Sequence, residues 1–300
     1  MTITSSDIQQ QLEPGLNAIV EHASLMHQNQ HLDLFDLESS NRAFEEEVVV
    51  SGFGYADVKP EGSAVTFQDS SEHYTARYQH LTIASAFAIT KEAVEDNLYD
   101  KKAARMTKAM VGAMNTTKQN RAASLYNNAF NTSFTFGDGK ALCVTDHPLL
   151  NGGTFSNRQS ADLSEAALEQ ALIDIGNLVD TAGLPISVMA KMLIVPVQSQ
   201  FIANRILNTD LRPGTADNDI NAMKYMGMFP GGIKVNNFLT DPDSWYIRTD
   251  APDGLKHFVR VPLETAMEGK FETDTMRVKF RERYSFGVTD PRGIYGSDGV

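Results

Sequence analysis

The chain has 300 residues, 42% of them apolar, and a formal net charge of −12 at neutral pH. That is enough apolar material for a buried core in one large domain or two smaller ones, and no window of about 19 residues is free enough of polar groups to span a bilayer. The N-terminus, MTITSSDIQQQLEPG, has neither the basic start nor the apolar run of a secretory signal. We therefore expect a protein that stays in the cytoplasm where it is made.

The charge balance argues against a protein whose main task is to grip nucleic acid. Phosphate binding relies on clustered Lys and Arg, and here 26 basic residues face 38 acidic ones. One basic cluster runs from Lys270 to Arg283. In an extended strand its members Arg277, Lys279, Arg281 and Arg283 point to one face. A solvated strand face or a subunit-contact face is favoured over a DNA-facing patch.

The only cysteine, Cys143, excludes an intrachain disulfide framework and a cysteine-rich zinc site. Asp146 and His147 follow closely, so a thiol, a carboxylate and an imidazole are near one another in sequence. A nucleophilic cysteine requires a base positioned in space. With Leu142 and Val144 on either side, Cys143 is better interpreted as a small buried apolar residue, and Asp146-His147-Pro148 as a turn.

The N-terminal 40 residues have little apolar mass. A short helix is predicted within the first 30, interrupted at Pro14, from the spacing of Ile8, Leu12, Leu16, Ile19 and Ala23. Residues 28–40 are polar and irregular, with four apolar positions to anchor them: Leu32, Leu34, Phe35 and Leu37. We expect this segment to be an arm that lies on a neighbouring surface.

Residues 44–89 have the strand, turn, strand pattern of a β-excursion. Val48-Val49-Val50 begins it, Lys59-Pro60-Glu61-Gly62 is a strong turn signal, and residues 69–73 form a second polar tip. A two-stranded ribbon is marginal in water. Support from another part of the structure is therefore expected.

The period changes to that of a helix at Thr90, the predicted N-cap. Apolar side chains then recur at multiples of four, at Val94, Leu98, Met106, Met110 and Met114. The pattern continues to Phe130, which predicts some 40 residues of helix, about 60 Å long. A methionine stripe at this spacing is better explained as core than as a promiscuous groove.

The second half alternates helices and strands. A helix capped by Asp162 or Ser164 and ended by Gly183 precedes a buried strand at 192–196 and a helix at 198–207. From Ile233 onward strands dominate: 234–235, 245–247, 258–261 and 276–281.

No catalytic, cofactor-binding or metal site is predicted. The sequence has no Walker loop, Gly52-Phe53-Gly54 lacks the third glycine of a dinucleotide site, and the seven histidines show no ligand spacing. Asp217, Asn218 and Asp219 could offer oxygen ligands to a cation, but a solvated turn is favoured because the spacing of a calcium loop is missing.

Several short motifs, taken in order, resemble the HK97-type major capsid proteins of tailed bacteriophages, and most of all the branch of the Mu-type head subunit. The motifs are Phe44-Glu45-Glu46, the stretches 80–82 and 87–92, Asp96-Asn97-Leu98-Tyr99, 138–143, 145–149, 213–219 and Asp290-Pro291-Arg292-Gly293-Ile294. The resemblance covers nearly the whole chain.

The resemblance implies an α+β, HK97-like capsid fold. Its parts would be an N-terminal arm (1–47), an extended β-loop (48–89) that laps over an adjacent subunit, a peripheral domain with a long spine helix (90–159), an axial domain (about 160–260) and C-terminal strands that return to the peripheral domain (261–300). The implied function is that of a virion protein, assembled in the host cytoplasm, whose hexamers and pentamers form an icosahedral shell around double-stranded DNA.

The partners so implied are other copies of the chain, DNA bound without sequence specificity, and separate scaffolding, portal and decoration proteins; no membrane is involved. The candidate subunit-contact residues are Phe44, Phe53, Tyr55, Lys59, Glu61, Phe67, Tyr74, Tyr78, Arg277 and Arg281. Some relatives crosslink a loop lysine to a neighbouring subunit, but Lys59 does not match that pattern and no crosslink is expected. Two alternatives stay open: an encapsulin-like nanocompartment shell, and a soluble enzyme that uses Cys143 and His147.

Overall fold

The chain folds around two β-sheets and one long helix. A computed structural model describes residues 18–25, 28–90, 99–211, 220–270, 273 and 275–299. The helices are α1 (18–25), α2 (His31–Leu34), α3 (Tyr99–Asn127), α4 (Glu165–Gly176), α5 (Gln200–Asn208) and α6 (Ala222–Met226). The strands are β1 (Asp36–Ser39), β2 (Phe44–Val50), β3 (Glu72–Gln79), β4 (Leu81–Thr90), β5 (His147–Pro148), β6 (Thr154–Phe155), β7 (Arg158–Gln159), β8 (Ala190–Pro196), β9 (Ile233–Asn236), β10 (Trp245–Thr249), β11 (Leu255–Lys270), β12 (Thr275–Val288) and β13 (Ile294–Ser297). None of these helices is both long and apolar enough to cross a membrane.

The first sheet has the order β1-β11-β12-β4. Strands β11 and β12 form a long antiparallel hairpin, β4 pairs with β12 over its whole length, and the short β1 lies parallel to β11. The alternation predicted for 276–281 is confirmed, because Val278 and Phe280 are buried and pack with Val111 and Met114 of α3. One face of this sheet is therefore the inner face, covered by α3, and the other is the outer face.

Helix α3 is the longest helix that the structure describes. Its 29 residues span about 44 Å, and its C-terminal half contributes Ala122 and Tyr126 to the core. Thr90, the predicted N-cap, is the last residue of β4 and pairs with Thr275. The predicted first turns, 91–98, lie outside the described residues.

The second sheet has the order β7-β13-β10-β8-β9 and packs against α4 and α5. The core has one cluster of buried side chains around α4 and another around α3, and strand β10 contributes to both. Trp245 and Ile247 pack with α4, whereas Tyr246 packs on Tyr126 of α3, with ring centroids 5.2 Å apart. Strand β13 belongs to this sheet. Ile294 of β13 also packs in the same cluster as Tyr126 of α3, and the assignment of residues 261–300 to the peripheral domain stays a prediction.

Helix α4 confirms its predicted cap and apolar face. The Ser164 hydroxyl oxygen accepts a hydrogen bond from the Ala167 amide at 3.2 Å, and Leu168, Ala171 and Ile175 are buried. The helix ends at Gly176 instead of Gly183, because the Asp180 carboxylate accepts from the amides of Ala182 and Leu184 and closes a separate turn there.

Candidate subunit-contact surfaces

Residues 51–71, between β2 and β3, form a projecting loop with no helix or strand of its own. Its ends are held together: the Ser51 amide donates to the Ser71 carbonyl at 2.8 Å, and the Ser71 amide donates to the Ser51 hydroxyl at 2.9 Å. Beyond that clamp every residue from 53 to 70 is exposed. Apolar side chains are among them, with Val58 95% and Phe67 94% exposed. Apolar surface of this extent is unfavourable in water and indicates a contact site.

Strands β2 and β3 pair as a two-stranded antiparallel ribbon that carries the loop. The base of this ribbon, by contrast, is fixed to its own protomer. Tyr78 of β3 is 2% exposed and packs edge-on against Phe258, with ring centroids 4.8 Å apart. Its hydroxyl lies 2.5 Å from the Thr289 hydroxyl, and the Tyr74 hydroxyl donates to the Thr289 carbonyl at 3.0 Å. Gly287 lies directly under the Tyr78 ring, where a Cβ would be 2.6 Å from a ring atom.

A buried lysine joins the ribbon, the arm and the first sheet. Lys256 of β11 donates to Glu47 of β2 at 2.5 Å, to Asp253 at 2.8 Å and to Glu38 of β1 at 3.2 Å. Burial opposes its charge, but the hydrogen bonds to Asp253 and Glu47 outweigh burial and raise the pKa of Lys256. Glu47 also accepts from Thr289, so the lysine and the anchored tyrosine Tyr78 share one network. We call Lys256, Glu38, Glu47 and Asp253 the lysine hub.

The described part of the arm also lies on its own protomer. Leu34 and Phe35 are buried in the core beside Tyr126, and β1 extends the first sheet. Each acid of this segment meets a base of the body: Asp33 with Lys234 at 2.9 Å, Asp36 with Arg248 at 2.5 Å and Glu38 with Lys256. The prediction that residues 28–40 lie on a neighbouring surface is therefore wrong for 31–39, since distant residues supply the burial and charge that the segment lacks.

Two buried imidazoles, His31 on the arm and His257 beneath it, make the docking of the arm sensitive to acid. His31 and His257 meet edge to face, with ring centroids 5.3 Å apart. Burial, and secondly Lys118, lowers the pKa of His31 to about 4, and burial, followed by His31 and Lys118, lowers that of His257 to about 3. Because the ordinary value is 6.5, the unfolded chain binds more protons below that pH. The stability is present above about pH 7 and is lost as the pH falls towards 4.

We expect the free energy of unfolding to fall by roughly 1 kcal/mol per imidazole between pH 7.5 and 5.5. Urea unfolding at the two pH values measures this. His257→Phe keeps the stacking on Phe286, whose ring centroid is 4.2 Å away, and removes one titrating group, so its pH dependence should be shallower. An unchanged pH dependence would show that His257 does not carry the effect.

On the outer face of the first sheet, β12 presents basic side chains and the neighbouring strand β4 presents small ones. Arg277 and Lys279 are exposed, and Arg281 is half-buried and lies 3.6 Å from Glu264 of β11. The residues opposite them on β4 are Ala88, Ala86 and Ala84. The prediction that these cations share one strand face is confirmed. The three alanines beside them form a flat surface that leaves room for a partner.

A second apolar surface lies around α5 and α6. These helices line a cleft of about 520 Å³ together with β9. At and beside it, large apolar side chains are exposed: Phe201, Ile202, Leu211, Ile220, Tyr225 and Met226. Sequence reasoning missed this surface. A signal was present, since α5 has apolar residues on its outer side, Phe201 and Ile202, as well as on its buried side.

Comparison with known proteins identifies the family of the chain that carries these surfaces. A family model described as phage capsid protein matches residues 74–297, about three quarters of the chain. The chain belongs to the phage capsid protein family. It is a structural component of the virion, and the motif resemblance to tailed-phage major capsid proteins is confirmed at this level, whereas its placement nearest the Mu-type branch stays a prediction. No curated protein matches.

Solved structures support the HK97-like fold of this capsid protein. The capsid of a native GTA particle matches with a TM-score of 0.56 and 9% identity over 91% of this chain and 90% of that one. The capsid of Myoviridae phage XM1 gives 0.53 and 13% over 88% and 90%, and a virus-like particle from Pyrococcus furiosus gives 0.52 and 12% over 94% and 97%. At these identities the likeness concerns the fold alone, and the predicted α+β capsid fold is confirmed.

The geometry around Cys143 gives no support to the enzyme alternative. The thiol is fully buried, and burial raises its pKa. Both ring nitrogens of His147 face oxygen atoms, Asp138 Oδ2 at 2.5 Å and Asn157 Oδ1 at 3.1 Å. Asn157 in turn donates to the carbonyls of Leu142, Pro291 and Ile294. The group is a buried structural network that ties this loop to the C-terminal strand.

We expect Cys143 to be inert in the folded protein. Its reaction with a neutral disulfide reagent should be at least about a hundredfold slower in buffer than in denaturant, because only an exposed thiolate attacks. Timed thiol labelling with and without 6 M guanidinium measures the ratio. Rapid native labelling would restore the enzyme alternative.

The structure divides the predicted contact residues into four groups. Phe53, Tyr55, Lys59, Glu61 and Phe67 lie together on the projecting loop, all exposed. Arg277 and Arg281 lie on the outer sheet face, and Phe44 is partly exposed at the ribbon edge, with the Arg77 guanidinium 4.1 Å from its ring centroid. Tyr74 and Tyr78 face the interior of their own protomer, so we exclude Tyr78 as a contact and assign both to the ribbon anchor. Val58 and Val65 of the loop were missed.

Proposed function

We propose that this chain is the major capsid subunit of a tailed bacteriophage, which assembles with copies of itself into hexamers and pentamers that close into an icosahedral shell around double-stranded DNA. The observation that carries the proposal is the projecting loop. A segment with Phe67, Val58 and Tyr55 in solvent gains burial only from another molecule, whereas its base is rigidly held by Tyr78 and the lysine hub.

A closed ring of more than two copies requires two different contact surfaces on each subunit. Heterologous contacts, in which one patch meets a different patch of the next copy, close into rings when the rotation allows. The projecting loop is one such patch, and the α5–α6 surface is a second, with Phe201, Tyr225 and Met226 exposed. We assign α5–α6 to the contact around the ring axis and the loop to the contact with the adjacent subunit.

Scaffolding, portal and decoration proteins are further partners in this proposal, and assembly takes place in the host cytoplasm. The net charge of −12 indicates that DNA is enclosed without a strong protein grip. The family assignment favours this function over a nanocompartment shell, which shares the fold. The two differ in content, since a phage head holds nucleic acid and a nanocompartment holds cargo protein.

Electron microscopy of the purified full-length chain tests the proposal. We expect rings or closed particles from the chain alone or with its scaffold. A chain that stays monomeric at high concentration under both conditions would contradict it. In particles from infected cells, absorbance at 260 and 280 nm should show nucleic acid, and a protein cargo instead would favour the nanocompartment.

A further inference from the structure

The two edges of the first sheet are built differently. Past Val259, where β1 ends, the edge of β11 carries Pro262, two shifts of register and the charges of Glu264 and Glu268. The edge of β4 has the sequence LTIASAFAIT, without a charge, a proline or a glycine, and it pairs with β12 without irregularity from Leu81 to Thr90. Among the described residues no strand lies on its other side.

This difference indicates that the edge of β4 is covered in the working protein. A long, regular, uncharged edge offers a row of unpaired N–H and C=O groups to any other strand, and natural proteins protect solvent edges with proline, charge and bulges. The edge of β11 has all three protections and that of β4 has none.

The side chains of β4 show what such a partner strand would meet. On the outer face they are small, at Thr82, Ala84, Ala86 and Ala88. On the inner face Ile83 and Phe87 pack with the α3 core yet are only half-buried. One more strand with apolar side chains on its inner side would complete their burial.

The projecting loop contains a segment with that pattern. In residues 63–69, SAVTFQD, Val65 and Phe67 alternate with Thr66 and Gln68, which is typical of a half-buried strand. In the protomer this segment is irregular and its apolar side chains are in solvent. From Ser51 to the tip at Gly62 the chain can extend about 35 Å, which is far enough to reach a neighbour.

We propose that residues 63–69 of one copy add as a fifth strand to the free edge of β4 in a neighbouring copy, with Val65 and Phe67 on the inner face beside Ile83 and Phe87. The inference rests on the proposed self-assembly and names its receiving surface. Backbone hydrogen bonds supply the pairing and alternate side chains supply the register.

Charge favours the same pairing. Outside residues 63–69 the loop carries Asp57 and Glu61 against the single Lys59, and the receiving sheet presents Arg277, Lys279 and Arg281 on its outer face. Asp69 shares the strand face of Val65 and Phe67 and does not contribute to this attraction. The added strand would lie two strand spacings, about 10 Å, from these cations. Such complementarity accelerates association most at low ionic strength.

Disulfide trapping between copies tests the pairing directly. A chain with Thr66→Cys is co-assembled with chains that carry Ala84→Cys, Ser85→Cys, Ala86→Cys or Ala88→Cys, all at exposed positions. Cysteines on neighbouring strands can form a disulfide only when their Cβ atoms point to the same face of the sheet. We expect mixed dimers from at least one alanine position, at least about tenfold above Ser85→Cys. Ala266→Cys, equally exposed on β11, is the matched control and should not crosslink.

A second measurement does not depend on oxidation. Phe67→Ala should raise the concentration needed for assembly at least about tenfold, because it removes the large apolar side chain that the pairing would bury. Thr66→Ala, on the opposite face of the strand, should change that concentration less than about twofold. Particles that form without any β4 crosslink would assign this edge to another occupant and overturn the pairing, while the capsid function would stand. Equal crosslinking at odd and even positions would overturn it too. Failure of the parent chain to form particles would overturn both proposals.

Discussion

Replacement of residues 53–69 by Asn-Gly is expected to abolish particle formation while the protomer stays folded. The hydrogen bonds between Ser51 and Ser71 bring the two ends to hairpin distance, and Asn-Gly is a preferred two-residue hairpin turn. The residues removed are all exposed, so the melting temperature should change by no more than a few degrees. Native mass or sedimentation measures the state of assembly, and electron microscopy measures particles.

Substitutions that keep the loop at full length separate its chemistry from its reach. Phe53→Ser, Tyr55→Ser and Phe67→Ser together should prevent assembly almost as completely as the deletion, because they remove the apolar area to be buried. Ala64→Ser with Thr66→Ser is the control and should assemble normally. Particles of ordinary size from the chain without the loop would show that subunit contacts lie elsewhere.

Elements with a strong local period could be predicted from the sequence. The buried strand predicted at 192–196 is part of β8, the helix at 198–207 coincides with α5 to within two residues, and the cap of α4 at Ser164 is as expected. In each case neighbouring residues alone determine the pattern. The alternation around Arg277 likewise fixed which side chains share a face, since the period of a strand is two.

Non-local partners could not be predicted in the same way. Leu34 and Phe35 looked too few to anchor the arm, because the residues that bury them, such as Tyr126, lie about 90 positions away. The partners of Asp33, Asp36 and Glu38 are equally remote. Strand β4 was assigned to the ribbon with β2 and β3 because it follows them directly, whereas its partner β12 lies almost 200 residues further along the chain.

The contact surface was predictable only in part, for the same reason. Exposed aromatic residues in a turn-rich segment identified the projecting loop, since nothing local could cover Phe67. Tyr78 is also aromatic and lies only 11 positions further along, yet it is buried by Phe258 and Gly287. Whether a tyrosine of the ribbon faces solvent or core depends on the sheet beneath it, and that sheet comes from the last 50 residues.

Lys256→Met is expected to lower the free energy of unfolding by about 2–3 kcal/mol. Loss of the ammonium leaves Glu47, Glu38 and Asp253 close together without a cation. The cost stays below the ~3–5 kcal/mol of a fully buried pair, because Glu38 and Asp253 still reach solvent. Urea unfolding followed by circular dichroism measures the loss. Lys224→Met removes an exposed lysine paired with Asp210 and should cost less than about 1 kcal/mol.

The same variant tests whether the hub positions the projecting loop. Glu47→Gln in the Lys256→Met background removes one of the stranded charges and should recover part of the lost stability, whereas Glu47→Gln alone should destabilise; an additive double variant would show that the two side chains do not interact. Because Glu47 is on β2 and Glu38 on β1, loosening the hub frees both arm and ribbon from Lys256. A ribbon that is no longer held by Lys256 leaves the projecting loop without a fixed orientation. We therefore expect Lys256→Met to form particles more slowly than the parent chain even at temperatures where the variant is fully folded.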